Sequence, residues 1–509
     1  MSLTSLKSGT DVRGTALSYD ENEAVELNDE AVLKITQAFA YFIAAKTGKD
    51  RDEITVAVGH DSRITAERIK KQVISMLLSS GINVKDCSLC STPAMFMTTK
   101  LLDCDAAVQI TASHHPFDKN GLKFFTQGGG LSGDEIMKIL EVADTMEGIA
   151  YDTSREAEAV DFMSIYSEHL RNLVKKGVNS QTDYERPLEG LKIVVDAGNG
   201  AGGFFARDVL EPLGADITGS RYLEPDGMFP NHVPNPENET AMKSIQEATL
   251  ESGADLGVIF DTDVDRAACV SADGREINRN RLVALAASIA LEGNEGGTIV
   301  TDSVTSAGLT EFINDTLGGV HRRFKRGYKN VIDESIRLCR EGVNSPLAIE
   351  TSGHAAFREN YFLDDGAYLM VKIIIKLAYL KSQGKELDYL IRELKEPAET
   401  LDFRLNIKAE DFREYAQSVI EKLEKSTILN ENAKVADDSC EGVKVIFTEP
   451  SLNGFYIVRM SVHDPVMPVY IESAVSGGAS AIASALYGQL ALSDGLDLSP
   501  LEPKVEPAG

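Results

Sequence analysis

ADLGVIFDTDVDR, residues 254–266, decides the fold class. LGVIF is a short apolar run, and a polar loop follows it at once. Such a run reads as a buried strand that delivers its loop to one end of a sheet. The same arrangement repeats outward in both directions. ITVAVGH (54–60) ends in the loop DSRIT, and AERIKKQVISMLLSS (66–80) then has helical spacing that Gly81 stops. INVKDCSL (82–89) and DAAVQIT (105–111) read as further strands. LKIVVDAGNG (191–200), GTIVTDSV (297–304) and PLAIETSGH (346–354) each pair an apolar strand with a small polar loop, and RLVALAASIALEG (281–293) reads as a buried helix. Strands alternating with helices predict α/β domains with mixed, largely parallel sheets. Ligands of such sheets bind beyond the carboxyl ends of the strands, where every one of these loops lies.

The pattern changes after the charged stretch 380–400: LDFRLNI, a helix, then VKVIFT, GFYIVRMSV and PVYIESA read as an α+β unit. Polar, Pro- and Gly-bearing stretches at 175–190 and 271–280 mark two earlier boundaries. The expected division is four domains, 1–180, 181–280, 281–398 and 399–509, the first three α/β and the last α+β. The final DLSPLEPKVEPAG reads as a frayed tail.

The charge is −28, from 51 basic and 79 acidic residues. A surface that acidic repels nucleic acid and anionic lipid, so an anionic ligand needs locally concentrated positive groups. No apolar run approaches the roughly 20 residues of a membrane span. The first residues carry no apolar signal core, and six Cys in 509 residues are no disulfide scaffold. A cytoplasmic location is expected. Cys87 and Cys90 form one C-x-x-C, read as two small buried hydrophobes ahead of a zinc or redox pair.

Four loops could carry chemistry. In TASHHPFDKNGLKFF (111–125), Ser113 can be a nucleophile or a phosphate carrier, but a free hydroxyl needs a base or a metal beside it. His114, His115 and Lys123 are near in sequence; a plain polar turn is the other reading. In DTDVDR (261–266), three carboxylates at alternate positions can converge on one hard divalent cation, which would also relieve their mutual repulsion. It is no EF-hand, because Arg266 and Ala272 stand where Gly and Glu are required. An exposed acidic turn is the alternative. ETSGH (350–354) offers donors and acceptors suited to sugar hydroxyls. In RMSVHDP (459–465), Arg459 and Ser461 are two apart on one side of a strand and can grip a phosphate. Arg13, Arg63 and the cluster Lys325, Arg326 and Lys329 are further basic candidates in glycine-bearing loops.

Two motifs point elsewhere. Gly198, Gly200 and Gly203 fit the dinucleotide fingerprint G-x-G-x-x-G, but Asp216 stands too early to complete it, and a tight strand-to-helix packing turn is the preferred reading. VIFDTDV has the look of a haloacid dehalogenase-like phosphatase, with Asp261 attacking phosphate. Its late position and the added Asp265–Arg266 argue against that.

Taken in order, TASHHP, DTDVDR, ETSGH and RMSVHDP resemble the α-D-phosphohexomutase family, from GTDVRG near residue 9 to PVYIES near residue 473. PDGMFPNHVPNP (225–236) also looks like a family segment. The resemblance implies three mixed-sheet α/β domains and a C-terminal α+β domain around a central cleft, with the phosphoserine, metal, sugar and phosphate loops in successive domains. Ser113 would carry a phosphoryl group, and Asp261, Asp263 and Asp265 would bind Mg²⁺ together with it. Arg266, His114 and Arg13 would stand beside the reacting group, with Lys123 as general acid or base. Glu350, Ser352 and His354 would hold the sugar, Arg459 and Ser461, with His463 still able to donate a hydrogen bond, would grip the phosphate that does not react, and Lys329 and Arg63 would bind substrate by offsetting its charge. The implied activity moves a phosphoryl group between carbon 1 and carbon 6 of glucose or mannose phosphate through a hexose 1,6-bisphosphate. Phosphoglucosamine or phospho-N-acetylglucosamine mutase, a sugar phosphatase and a non-catalytic sugar-phosphate binder are the alternatives. The implied partners are small hexose phosphates, with no nucleic acid or membrane, in a monomer or homodimer. The sequence departs from the family where Val462, His463 and Asp464 replace Gly, Thr and Glu, and where Ile349 precedes Glu350 in place of Gly.

Overall fold

The short apolar runs become strands, the longer run RLVALAASIALEG becomes the helix Arg279–Leu291, and most of the intervening amphipathic stretches become helices. The computed structural model describes residues 2–20, 24–147, 154–428, 432–461, 464–491 and 493–502. They group into two units: Met1–Ile289 with Ser352–Leu390, and Ala290–Thr351 with Ile391–Gly509.

The first unit begins with a mixed sheet. Thr55–His60 lies parallel to Ala106–Ile110 on one side and Asn83–Leu89 on the other. Lys119–Thr126 runs antiparallel to Ala106–Ile110 and to Asp11–Thr15. Helix starts follow capping chemistry. Asn28 caps Asp29–Thr47, Ser91 with Pro93 opens Thr92–Leu101, and Ser132 with Glu135 forms a capping box on Gly133–Asp144. Val56, Val58, Val108 and Leu122 of the sheet share one core with Phe39, which stacks on Phe124 at 4.5 Å.

A second sheet has Leu256–Phe260 at its centre, parallel to Ile193–Asp196 and antiparallel to Ala267–Ser271. Its own core includes Val194, Ile245, Ile259 and Val270. The stretch 271–280 makes a hairpin turn into Glu276–Ile277, with Gly274 at φ +83°. The first residues of 175–190 complete the helix Phe162–Val178, which Asn179 ends in the left-handed region. That helix packs against Gly366–Ser382: a Cβ on Gly177 would stand 2.5 Å from Ile375 Cδ1. Tyr166 Oη donates to Asp365 Oδ2 at 2.6 Å between the same two segments.

The glycine-rich turn after Ile193–Asp196 is the packing turn expected of it. A Cβ on Gly200 would lie 2.6 Å from the Thr262 carbonyl oxygen, and one on Gly203 2.1 Å from that of Leu223. The helix after it is a single short π-helical segment, Phe205–Leu210.

In the second unit, Thr298–Thr301 lies parallel to Val320–Arg323 and Leu347–Ile349, and the helix Tyr328–Arg340 follows. The C-terminal part is an antiparallel sheet in the order Glu399–Asn406, Val466–Ser473, Gly454–Val458, Val443–Phe447, Ala433–Val435. Its core, with Tyr456, Val458, Ile471 and Leu486, is separate again. Of the expected tail, Ser499–Leu501 forms a short 3₁₀ helix with Leu501 buried; 503–509 lie outside the described residues. Among the described residues no helix is long and apolar enough to cross a membrane.

Candidate active site

Two strand ends of the first unit bring Ser113 and the acidic loop together. The Ser113 hydroxyl donates to Asp261 Oδ2 at 3.1 Å and accepts from Arg266 Nη2 at 3.1 Å. Arg266 Nε lies 3.2 Å from the same Asp261 oxygen. His114 Nδ1 accepts a short hydrogen bond from Arg266 Nη2 and lies 3.4 Å from Ser113 Oγ. Lys123 reaches in from the neighbouring antiparallel strand, its ammonium 3.1 Å from Asp263 and 2.5 Å from Asp265.

The loops are held in costly conformations. Ser113 has φ +52° and Val264 has φ +67°, in the left-handed region that side chains avoid and a β-branched residue avoids most. Such strain persists only where the surroundings over-determine it. Thr111 Oγ1 accepts the Ser113 N–H at 2.9 Å and donates to Asp61 Oδ2 at 2.7 Å. Arg63, fully buried as a side chain, pairs with Asp61 at 3.3 Å and donates to the carbonyls of Ser113, His115, Pro116 and Lys119. Both terminal nitrogens are therefore spent on the loop itself. Gly121 lets the loop cross the sheet closely, because a Cβ there would stand 2.3 Å from the Val12 carbonyl oxygen and 2.7 Å from that of Thr111. Across the ladder from Gly121 stands Arg13, ion-paired with Asp11 at 2.7 Å.

Asp261, Asp263 and Asp265 are all buried, and each has an oxygen within 4.8 Å of the others'. Asp263 Oδ1 and Asp265 Oδ1 have no hydrogen-bond partner. Three converging carboxylates with unsatisfied oxygens suit a hard divalent cation, and this is the one such group among the described residues. Burial, with Asp265 and Asp263 beside it, pushes Asp261 well above the usual carboxylate range. Burial also penalises Asp265, but Lys123, His354 and Arg266 outweigh it and hold that group well below. The three aspartates thus face two permanent cations, Lys123 and Arg266, with His354 as a third when protonated. Burial and then Arg266 depress His114 to about 2, so its imidazole is neutral at pH 7. His354 Nε2 lies 3.6 Å from Asp265 Oδ1, and its Nδ1 meets Ser352 Oγ at 2.9 Å.

The sugar loop's first residue belongs to the second unit. Glu350 Oε1 accepts the Gly327 N–H at 2.6 Å. Fully buried Asp302, pushed up to about 6 by burial, accepts from the Thr351 N–H at 3.1 Å and its hydroxyl at 2.7 Å. Arg459 follows the strand Gly454–Val458, with Nη1 3.4 Å from Glu441 Oε1. Glu441 Oε2 accepts from Ser303 Oγ at 2.8 Å and from the Arg326 N–H at 3.1 Å. Ser461 Oγ accepts the Asp464 N–H at 3.3 Å, and Lys329 pairs with Asp333 one helical turn on. Val462 and His463 lie outside the described residues.

Sequence reasoning passed over several residues here. Thr92 donates its hydroxyl to Asp263 Oδ2 and its N–H to the Asp263 carbonyl at 2.8 Å. Its signal was available: Ser91–Thr92–Pro93 is a helix start directly after a strand. Asp302 and Ser303 likewise end a strand. Glu441 carried no local signal.

Three family models match: phosphoglucomutase/phosphomannomutase α/β/α domain I over 9–148, domain II over 164–274 and domain III over 278–397. A phosphomannomutase/phosphoglucomutase of Pseudomonas syringae pv. tomato is 29% identical over 456 residues, 89% of this chain and 90% of that one. A phosphoglucosamine mutase of Lactobacillus johnsonii is 30% identical, over 82% of this chain and 88% of its own. The crystal structure of a phosphoglucomutase/phosphomannomutase family protein from Burkholderia thailandensis shares the fold, with TM-score 0.78 at 24% identity, covering 97% of this chain and 98% of that one.

Proposed function

Because the chain belongs to the phosphoglucomutase/phosphomannomutase family, a family of phosphotransferring isomerases, we propose that it moves a phosphoryl group between carbon 1 and carbon 6 of a hexose phosphate, with Ser113 as the carrier. One observation supports this above all. The Ser113 hydroxyl is buried in the left-handed region, within 3.1 Å of both an aspartate and an arginine.

Phosphoryl transfer asks a protein for positioning and charge neutralisation more than for covalent chemistry. The phosphorylated Ser113 gives its phosphoryl group to the free hydroxyl of a hexose monophosphate. The resulting bisphosphate turns over, and Ser113 takes back the other phosphate. Arg266 meets the Ser113 oxygen and neutralises charge as the bond to phosphorus breaks or forms. His114, neutral, holds the Arg266 guanidinium by accepting from it. In this reading Lys123 exchanges a proton with the sugar hydroxyl. Asp261, Asp263 and Asp265 would hold Mg²⁺, which when bound polarises the transferring phosphoryl group. Arg63 takes a positioning part, since its donors fix the Ser113 loop. Glu350, Ser352 and His354 are assigned to the sugar, and Arg459 and Ser461 to the phosphate that does not react. The reading retains four domains, 1–180, 181–280, 281–398 and 399–509.

The test is intact-mass analysis beside kinetics. The purified protein, or protein incubated with glucose 1,6-bisphosphate, should carry one phosphoryl group on Ser113, and Ser113→Ala should carry none and lose mutase turnover while keeping its fold. A fully active Ser113→Ala removes the carrier assignment. The likeness to a phosphoglucosamine mutase favours amino-sugar phosphates as a second reading. A coupled assay across glucose, mannose, glucosamine and N-acetylglucosamine 1-phosphates decides between them.

A further inference from the structure

Arg459 does not wait with an open guanidinium: a carboxylate of the same unit already sits on it. Glu441 is bound as an anionic ligand would be. One oxygen meets Arg459 Nη1 at 3.4 Å. The other takes a hydroxyl hydrogen bond from Ser303 at 2.8 Å and a backbone one from Arg326 at 3.1 Å. A guanidinium, a hydroxyl and a main-chain amide, drawn from three distant segments, are the donor types that recognise phosphate. The amide belongs to the turn that opens the 13-residue helix Tyr328–Arg340, whose N-cap Gly327 offers no side-chain cap. Carboxylates serve that turn instead, Glu441 on the Arg326 amide and Glu350 on the Gly327 amide.

The backbone is shaped for this contact. Gly442, next to Glu441, has φ +66°, and a Cβ there would lie 2.1 Å from the Val458 carbonyl oxygen and 2.7 Å from Arg459 Cα. Only glycine lets the Glu441 turn press this closely on the strand end that carries Arg459.

We propose that Glu441 is the resting occupant of the phosphate subsite, which the substrate's phosphate displaces on binding. The proposal rests on the assignment of Arg459 to the substrate's phosphate. Charge supplies the argument. Asp302, Glu350 and Glu441 already stand against Arg326 and Arg459. Those three carboxylates and two guanidiniums sum to −1, and Asp402 adds further negative charge facing Arg459. A phosphate dianion added with Glu441 still in place takes that set to −3. With Glu441 swung away, the same addition leaves −2 beside Arg459 and Arg326. The Glu441 side chain is 17% exposed, so it has a path into water. Its two oxygens and single charge hold the donors in place without matching a phosphate's three oxygens and nearly two charges. The swap therefore selects dianions over monoanions and keeps the subsite's donors satisfied between turnovers.

Equilibrium binding of glucose 6-phosphate and of inorganic phosphate to the full-length protein tests this. Glu441→Gln removes the competing charge while keeping the side chain's shape. It should bind both anions about three- to tenfold more tightly than the wild type, the size expected for one ordinary net hydrogen bond given up by the competitor. Arg459→Ala should bind both more weakly. Should Glu441→Gln not fold, Glu441→Asp retracts the carboxylate by one methylene and should tighten binding in the same direction. Unchanged or weaker binding in the Glu441 variants, with Arg459→Ala weakened, overturns the resting-occupant proposal and leaves the phosphate assignment standing. Unchanged binding in Arg459→Ala overturns that assignment and this proposal together.

Discussion

Arg63 should be the most damaging single position to alter outside the reacting groups. Its side chain is fully buried, paired with the equally buried Asp61, and donates to four loop carbonyls. Removing one partner of a buried pair costs about 3–5 kcal/mol, because the remaining charge is stranded. Each abandoned carbonyl adds on the order of 1 kcal/mol. Arg63→Ala thus threatens a large part of a stability that runs to about 5–15 kcal/mol in ordinary domains. Arg63→Lys keeps the charge and some of the donors, so we expect a loss of about 2–3 kcal/mol. Mutase turnover should fall by about 100-fold or more, since Ser113 depends on that loop for its left-handed conformation and a misplacement near 1 Å is enough. Urea unfolding measures the stability change, and mutase kinetics on the folded fraction measure the second effect. Asp61→Asn/Arg63→Met closes the argument. It removes both charges and should be less damaging than the two single changes summed, by about 1–3 kcal/mol. If Arg63→Lys matches the wild type in stability and turnover, the loop is not held by Arg63 and the reasoning fails.

Mg²⁺ should raise the thermal midpoint of the resting protein, by about 3 kcal/mol of stabilisation at a hundredfold excess over its dissociation constant, and Asp263→Asn should abolish most of that shift. An identical response in Asp263→Asn would place the ion elsewhere. Asp365 gives a pH signature. Burial lifts its folded pKa to about 6, above its ordinary 3.8, so the group is destabilising once it must ionise in the fold. The penalty is absent below the unfolded pKa, grows as pH rises from about 4 to 6, and is constant above that. Asp365→Asn should therefore improve relative to the wild type by about 1 kcal/mol between pH 5 and pH 7 in chemical unfolding. A gap that does not change with pH would refute the raised pKa.

What could be read from the sequence was whatever lies within one short segment. Asp261, Asp263 and Asp265 share one strand end, and Ser113 follows the strand beside the one that carries Lys123, so each loop stood out in the sequence and the family resemblance tied them together. The alternation of strands and helices was legible because each apolar run needs a covered face. Contacts between distant segments were not. Nothing local to Arg63 says that carbonyls fifty residues on take four of its hydrogen bonds. Thr92 touches Asp263 from 171 residues away, and Glu441 meets Ser303 from 138. Such partners are decided by how sheets stack, which no local period encodes.

Gly200 and Gly203 owe their spelling to proximity. Each is bare because another stretch of main chain passes where a methyl would sit, and one of those stretches is Thr262, inside the acidic loop. A nucleotide's pyrophosphate imposes the same bareness from the opposite direction. Identical letters thus arise from two neighbours with nothing in common but bulk. In this chain the neighbour is internal: an alanine at residue 200 would press on the Thr262 main chain, between Asp261 and Asp263.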